Sequence, residues 1–184
     1  LRRLQQDRLV IARANQRFSV APYDLSDLEA VLCLHLVNVS LAIQVGVPFL
    51  TDEDIDQLER CEDVMMAAAE KSDQLRWEAA YRDFILSIVA HAGQRIGNLI
   101  GELIDNIQRY RETTLNAAPV VYVGGSQLPE IFEAIKMRDG KLAASRYAKF
   151  AGRTSSLILA GVAPQYEPAR LRAYIVALGA FEER

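Results

Sequence analysis

Residues 30–51, AVLCLHLVNVSLAIQVGVPFLT, contain no fully charged side chain. The stretch is long enough to raise the question of a membrane span. Four polar residues interrupt it, however: His35, Asn38, Ser40 and Gln44. Gly46 and Pro48 break the helical pattern near its end. A helix buried on most of its faces within a soluble bundle explains this composition better than a membrane helix does. The stretch therefore predicts a central core helix.

The residues on either side predict further helices, because apolar side chains recur with helical spacing. Four helix starts carry a recognisable signal: a capping box of Ser26 with Glu29, an N-cap at Thr51, and prolines at Pro129 and Pro168. The third helix places Trp77, Tyr81, Phe84, Ile85 and Ile88 on one face. Towards the end of the chain, the pattern predicts a helix from Leu142 to about Phe150 and a separate one near Leu157.

Residues 9–20 have a different pattern, which predicts two short strands around a turn at Asn15 and Gln16. The predicted fold is therefore all-α: an antiparallel bundle of six to eight helices preceded by a short β-hairpin. We divide the chain at residues 22 and 151, into segments 1–22, 23–151 and 152–184. The sequence does not begin with Met, so we expect a longer protein that continues upstream.

Composition and motifs argue against several functional classes. The chain has 184 residues, of which 51% are hydrophobic and 24% charged, so it can bury a core and is not a disordered chain. Its two cysteines, Cys33 and Cys61, are expected to be buried reduced thiols. No phosphate-binding loop, nucleophile motif or metal-ligand motif is present. We therefore expect no catalytic residue, no cofactor and no enzymatic activity.

Several short motifs, in order, resemble a known family of regulators. Residues 1–10, 15–20 and 25–29 resemble the joint between the DNA-binding and effector domains of a GntR-type transcriptional regulator. Residues 51–59 resemble the second helix of the FadR-type C-terminal domain (FCD) of such regulators. Further matching signatures are Asp83-Phe84, Ala92-Gly93-Gln94, Ala134-Ile135 and Arg138-Asp139-Gly140 with Ala143. The resemblance covers about residues 1–151.

The resemblance implies a role for the first two segments. Segment 1–22 would be the end and wing of a winged helix–turn–helix whose recognition helix lies upstream, and segment 23–151 the effector-binding and dimerisation domain. Segment 152–184 has no counterpart in the family; the apolar side of its last helix would let this helical extension cover the bundle or serve dimerisation. The first 20 residues carry five arginines and one aspartate. Arg2, Arg3, Arg13 and Arg17 would contact DNA phosphates, or else only keep a strand edge soluble.

The resemblance also implies a metal site whose ligands this sequence lacks. Many family members hold a divalent metal with one Asp and three His. The corresponding positions here are Tyr81, Ile85, Leu128 and Phe150. Three of these four side chains have no nitrogen or oxygen to donate, and one tyrosine does not hold an ion alone. We therefore predict that the chain binds no metal.

An apolar wall replaces the metal ligands, and two interpretations remain. A cavity could remain and bind a small hydrophobic or amphipathic effector; its lining would be Tyr81, Ile85, Leu128, Tyr147 and Phe150. Alternatively, the large side chains fill the space, as dense packing favours. His35 takes the place of an arginine that faces the effector in the family. It would meet a polar head group or be an ordinary hydrogen-bonded core residue, and Arg146 is a second candidate partner for an anion.

These interpretations lead to two competing hypotheses. In the first, the protein is a cytoplasmic bacterial regulator that binds operator DNA through its upstream domain and senses a small-molecule effector without metal. In the second, the chain is a helical module for dimerisation only, with a filled pocket. A homodimer is expected in both, since palindromic operators require two-fold symmetry. An enzyme built on the bundle is a distant third.

Overall fold

A computed structural model describes residues 10–11, 19–20, 24–114 and 127–179. Two short strands, β1 (Val10–Ile11) and β2 (Ser19–Val20), pair antiparallel, with Val10 opposite Val20. They lie within the segment predicted to form a hairpin. The predicted turn and the four arginines proposed to contact DNA lie outside the described residues.

The described part contains seven α-helices, which confirms the all-α fold class predicted from the sequence. Short 3-10 turns follow two of them, at Val47–Phe49 and Ala90–Ala92. The helices are α1 (Leu25–Gly46), α2 (Asp52–Glu70), α3 (Gln74–Val89), α4 (Gln94–Thr114), α5 (Leu128–Lys136), α6 (Gly140–Val162) and α7 (Ala169–Ala177).

Helix α1 is the centre of the bundle and packs against α3, α4, α6 and α7. The segment Leu25–Phe49 is long and apolar enough to cross a membrane by length and composition alone. Its apolar side chains instead form much of the core, and six of them are at most 1% exposed: Leu28, Leu32, Leu36, Val39, Ile43 and Val47. This arrangement is the one expected for the core helix of a helical bundle.

The two predicted helix caps have different outcomes. The cap at Thr51 is confirmed: its hydroxyl accepts from the Asp54 N–H at 3.2 Å, and the Asp54 carboxylate accepts from the Thr51 N–H at 2.7 Å. The capping box of Ser26 with Glu29 is wrong. Asp24 caps α1 by accepting from the N–H groups of Ser26 and Asp27. Asp24 precedes the first helical residue, which is where an N-cap carboxylate reaches these free N–H groups.

Glu29 has a different role, because it lies on the inner face of α1 and is only 2% exposed. Its carboxylate accepts hydrogen bonds from the Tyr166 hydroxyl at 2.8 Å and from the Leu171 N–H at 3.1 Å. Arg170 lies 3.9 Å away. Glu29 therefore attaches α7 and the segment before it to the start of α1.

The predicted break between two helices near Phe150 is wrong, since α6 runs without interruption from Gly140 to Val162. Gly152, in the middle of α6, lowers the helix propensity of this stretch. A close contact with another helix explains why a glycine stands there. A Cβ atom at residue 152 would lie 2.9 Å from Ile175 Cγ1. Helix α7 thus packs closely on α6, and the proposed division at residue 151 falls inside a helix.

The corner between α5 and α6 explains the motif Arg138-Asp139-Gly140. Arg138 adopts a left-handed backbone conformation with φ 54°, and its guanidinium donates to the Leu50 carbonyl at 3.0 Å. Asp139 caps α6 by accepting from the Leu142 N–H at 2.9 Å. At Gly140 a Cβ would lie 2.4 Å from the Gln44 carbonyl oxygen, so only glycine permits this approach of α6 to α1.

Candidate functional site

A small cavity lies between α1, α3, α4 and α6. It offers about 60 Å³ of space that the centre of a water molecule can reach. Most of its lining is apolar: Leu32, Trp77, Ile104, Ile107, Phe150, Ala151 and Ile158. The polar lining residues are His35, Glu78, Tyr81, Gln108, Thr154 and Ser155. Apolar walls with a few polar groups are typical of small-molecule sites.

Aromatic rings form one side of the cavity. Trp77 and Tyr81 stand one turn apart on α3 and are stacked, with centroids 5.0 Å apart and planes 13° apart. Phe150 of α6 faces Tyr81 across 6.1 Å at an angle of 52°. Tyr147, one turn before Phe150, lies 6.2 Å from it and is almost fully buried. The helical spacing of four residues on α3 and of three on α6 brings these rings together.

His35 is the buried ionisable residue of the cavity wall. Its Nδ1 lies 3.5 Å from the Tyr147 hydroxyl, which in turn lies 3.4 Å from the Tyr81 hydroxyl. Its Nε2 is buried and has no hydrogen-bond partner in the described part of the chain. Burial lowers the pKa of His35 to about 4, so the ring is neutral at neutral pH. Burial also raises the pKa of the Tyr147 hydroxyl.

The structure brings four of the seven predicted ligand-binding residues together. His35, Tyr81 and Phe150 line the cavity, and Tyr147 connects His35 to Tyr81 by hydrogen bonds. The other three do not line it: Ile85 and Leu128 lie in the core at 0% and 1% exposure. Arg146 is turned away from the cavity and donates to the Glu130 carbonyl. Because consecutive helical residues point about 100° apart, Arg146 does not share the orientation of Tyr147.

The sequence patterns did not predict most of the residues that line the cavity, including all of those on α4. Trp77 was assigned only to the core face of its helix, although it lies one turn from Tyr81. Thr154, Ser155 and Ile158 lie beyond the point where α6 was predicted to end. Along a continuous helix, one face repeats at residues 147, 150, 151, 154, 155 and 158. This spacing could have identified Thr154, Ser155 and Ile158 as cavity residues.

The donor set at the metal positions of the family does not fit a divalent cation. Of Tyr81, Ile85, Leu128 and Phe150, only the tyrosine carries an oxygen, and it hydrogen-bonds Tyr147. Among the residues that the structure describes, no group of three or more His, Cys, Asp or Glu side chains is placed to hold a metal ion. The site is therefore an apolar cavity with a few uncharged polar groups and one carboxylate.

The fold and this cavity define the class of protein: an all-helical domain with a small, mainly apolar site between its helices. The profile of the FCD domain family matches residues 40–149, more than half of the chain, and the chain belongs to that family. This confirms the resemblance to FCD domains of GntR-type transcriptional regulators, which are not enzymes.

Solved structures show the same fold. E. coli McbR/YncC superposes with a TM-score of 0.74 over 85% of this chain and 79% of that chain, at 17% identity. A GntR family transcriptional regulator from Pseudomonas syringae pv. tomato strain DC3000 gives a TM-score of 0.60 over 86% of this chain and 66% of that chain, at 15% identity. A search of curated proteins returned no match.

Proposed function

We propose that this chain is the effector-binding and dimerisation domain of a bacterial transcriptional regulator, and that its cavity binds a small hydrophobic or amphipathic molecule without metal. The observation that carries the proposal is His35 in the cavity wall, with Nε2 buried and no partner for it in the described residues. An unsatisfied buried polar group costs about 1–3 kcal/mol. Because neighbouring atoms cover Nε2, a ligand group recovers that cost only if those atoms move aside and let it hydrogen-bond Nε2.

The position of the cavity gives a second argument for this proposal. Tyr81 and Phe150 stand at two of the four positions that the family resemblance assigns to metal ligands, and both line the cavity. The space is small, about 60 Å³, which favours a short molecule over a long acyl chain.

Thermal unfolding with a panel of small carboxylates, alcohols, amines and sugar acids tests the proposal. A ligand that binds only the folded chain stabilises it by about 2.7 kcal/mol at a hundred times its Kd. For a chain of this length, that corresponds to a rise in Tm of roughly 5–10 °C. Trp77 is the only tryptophan and lines the cavity, so its fluorescence reports occupancy independently.

A matched pair of variants locates the binding. Ala151→Leu adds three carbons inside the cavity and is expected to abolish the ligand-induced rise in Tm. Ala79→Leu makes the same change on an exposed face of α3 and is expected to leave that rise intact. Equal responses of both variants would place the ligand elsewhere. If no compound in the panel raises the Tm, a module for dimerisation only becomes the better description.

The remaining partners follow from the family and are also proposals. Operator DNA would be bound through the domain upstream of this chain, with Arg2, Arg3, Arg13 and Arg17 on phosphates. We place the regulator in the cytoplasm, where its operator is. In a longer protein that includes the upstream domain, replacing these four arginines by glutamine should reduce the salt dependence of DNA binding without changing effector affinity.

A further inference from the structure

Helices α1 and α4 both expose large apolar side chains. Of the eleven such side chains exposed in the described residues, these two helices carry five, each between 39% and 58% exposed: Leu34, Leu41, Val45, Ile96 and Leu99. These five residues are called the apolar face. Its α1 part lies within residues 30–51, which carry no full charge. Contiguous apolar patches on the surface of a folded protein mark interaction sites.

Contacts at both ends show that α1 and α4 pack side by side and run antiparallel. Near the start of α1, the Tyr110 hydroxyl of α4 donates to the Asp27 carboxylate at 2.9 Å. At the end of α1, a Cβ on Gly46 would lie 3.4 Å from the backbone nitrogen of Ala92, which stands just before α4. The height of each residue along one helix therefore corresponds to a known height along the other.

The five residues of the apolar face point to the same side of the bundle. Successive helical residues turn by about 100°, so its three α1 residues point within about 40° of Asp27, and its two α4 residues within about 40° of Tyr110. Asp27 and Tyr110 contact each other, which places both sets on one side. Leu41 is level with the stretch between Ile96 and Leu99. The apolar face is therefore continuous across the two helices.

Two opposite charges accompany the apolar face on α4. Arg95 and Glu102 are exposed, stand two helical turns apart and point within about 60° of Leu99. The midpoint between these two charges is at about the same height as the midpoint between Leu34 and Val45 on α1. The charges and the apolar residues are thus both centred on one level of the bundle.

We infer that the apolar face binds a second copy of this chain, with the two α4 helices antiparallel across a two-fold axis near Leu99. In a two-fold dimer the same patch meets itself, so the patch must be complementary to itself. Arg95 then faces the partner's Glu102, and Glu102 faces the partner's Arg95. The inference rests on the proposed dimerisation function and names the surface that performs it.

The charge arrangement favours a second copy over other occupants. A basic and an acidic residue at equal distances from the centre of the face pair with each other only when the partner presents the same two residues in reverse order. An unrelated protein or a membrane does not require this symmetry. An apolar centre with charges towards its edge is also typical of protein interfaces, and homodimers are typical of the family.

Two charge reversals test the arrangement on the purified chain. Arg95→Glu places two acids against each other at both ends of the contact, and Glu102→Arg places two bases there. We expect each variant to raise the dimer dissociation constant at least about ten-fold, because like charges across an interface repel. Sedimentation velocity over a concentration series measures this constant. As a control, Arg60→Glu reverses an exposed charge on α2, which packs on α3, and should leave the constant unchanged.

An equimolar mixture of the two variants tests the antiparallel pairing itself. In the mixed dimer, each acid of one chain faces a base of the other at both ends of the contact. The affinity should therefore return to about that of the wild type. Native mass spectrometry identifies the mixed dimer, since the two chains differ in mass. A variant that is weak only because it misfolds would not be rescued by mixing.

The possible results separate this surface from the proposed function. A wild-type dimer that neither charge reversal weakens would overturn the α4 contact and leave dimerisation standing. Weakened variants that do not pair with each other would also overturn it. A wild-type chain that stays monomeric would contradict both the surface and the dimerising role, whereas the ligand-induced rise in Tm tests the cavity independently. If that monomer sediments with vesicles of phosphatidylcholine and phosphatidylglycerol, the apolar face is a membrane surface instead.

Discussion

At the scale of single residues, His35 connects the cavity to the stability of the bundle. Its side chain is enclosed at 6% exposure and hydrogen-bonds only through Nδ1 within the described residues. Protonating it in the folded state would place an unpaired charge in the core. The folded chain therefore keeps this histidine neutral far below the pH at which an exposed histidine gains a proton.

This environment predicts a specific dependence of stability on pH. The pKa of His35 is about 4 in the folded chain and about 6.5 in the unfolded chain. Between these values only the unfolded chain binds the proton, so the free energy of unfolding falls as pH decreases from 6.5 towards 4. Between pH 7 and pH 4.5, protonation of His35 in the unfolded chain should lower the free energy of unfolding by about 2–3 kcal/mol.

Urea unfolding of the wild type and His35→Gln at both pH values measures this loss. The variant cannot gain the proton, so its decrease in stability should be smaller than that of the wild type by this amount. Carboxylates that titrate in the same range are common to both chains and cancel in the difference. Equal decreases in the two proteins would show that His35 is not held neutral by the fold.

At the scale of helices, two glycines show that the effect of a missing Cβ on stability depends on how crowded its surroundings are. Gly140 begins α6 where it touches the backbone of α1, so the absence of a Cβ is required. Gly97 lies within α4, and nothing lies within 4 Å of the place where its Cβ would be. The first glycine is explained by packing, whereas the second only lowers the intrinsic stability of its helix.

Replacing each of these glycines by alanine should therefore change the free energy of unfolding in opposite directions. Gly140→Ala forces α1 and α6 apart and should lower the free energy of unfolding by about 1–3 kcal/mol, the usual cost of overpacking. Gly97→Ala should raise it by about 0.5–1 kcal/mol, because alanine is the better helix former. Urea denaturation measures both. A stable Gly140→Ala variant would contradict the close approach of the two helices.

At the scale of the whole molecule, Glu29 joins the start of α1 to the last described helix. Its two hydrogen-bond donors, Tyr166 and the backbone of Leu171, lie 137 and 142 residues away in sequence. Helix α7 has nine residues, too few to be stable alone, and depends on this bond and on the burial of Leu171 and Ile175.

Replacing Glu29 by alanine should release α7 before the bundle unfolds. The loss of the carboxylate leaves the Leu171 N–H buried without an acceptor, at a cost of about 1–3 kcal/mol. Hydrogen exchange should then become faster in residues 163–179 and remain slow in α1 and α3. Glu130→Ala at an exposed position of α5 serves as the control. Uniform acceleration throughout the chain would show that α7 unfolds only together with the core.

The expected homodimer is also a property of the whole molecule. Native mass spectrometry should give twice the chain mass of 20.5 kDa, and denaturation should return the single-chain mass. An organic adduct that leaves on denaturation would identify an effector directly. A monomer at micromolar concentration would show that this part of the protein does not dimerise by itself.

Local patterns along the chain predict the all-α class, most helix positions, the cap at Thr51 and the family. These features depend on neighbours within a few residues, or on a pattern that repeats every 3.6 residues, and both are legible along the chain. His35, Tyr81, Tyr147 and Phe150 could be named in advance because the resemblance placed them near the site. The shape of the cavity could not be inferred in the same way.

Packing between distant segments sets which side of each helix faces the cavity and which contacts close the bundle. Ile85 and Arg146 stand four residues from Tyr81 and Phe150 but do not line the cavity, and Leu128 lies in the core. Helix α6 continues past Gly152, where Ile175 packs against it, and Glu29 anchors α7 instead of capping α1. Each of these outcomes depends on residues that are distant in sequence, whose contacts form only when the helices pack together.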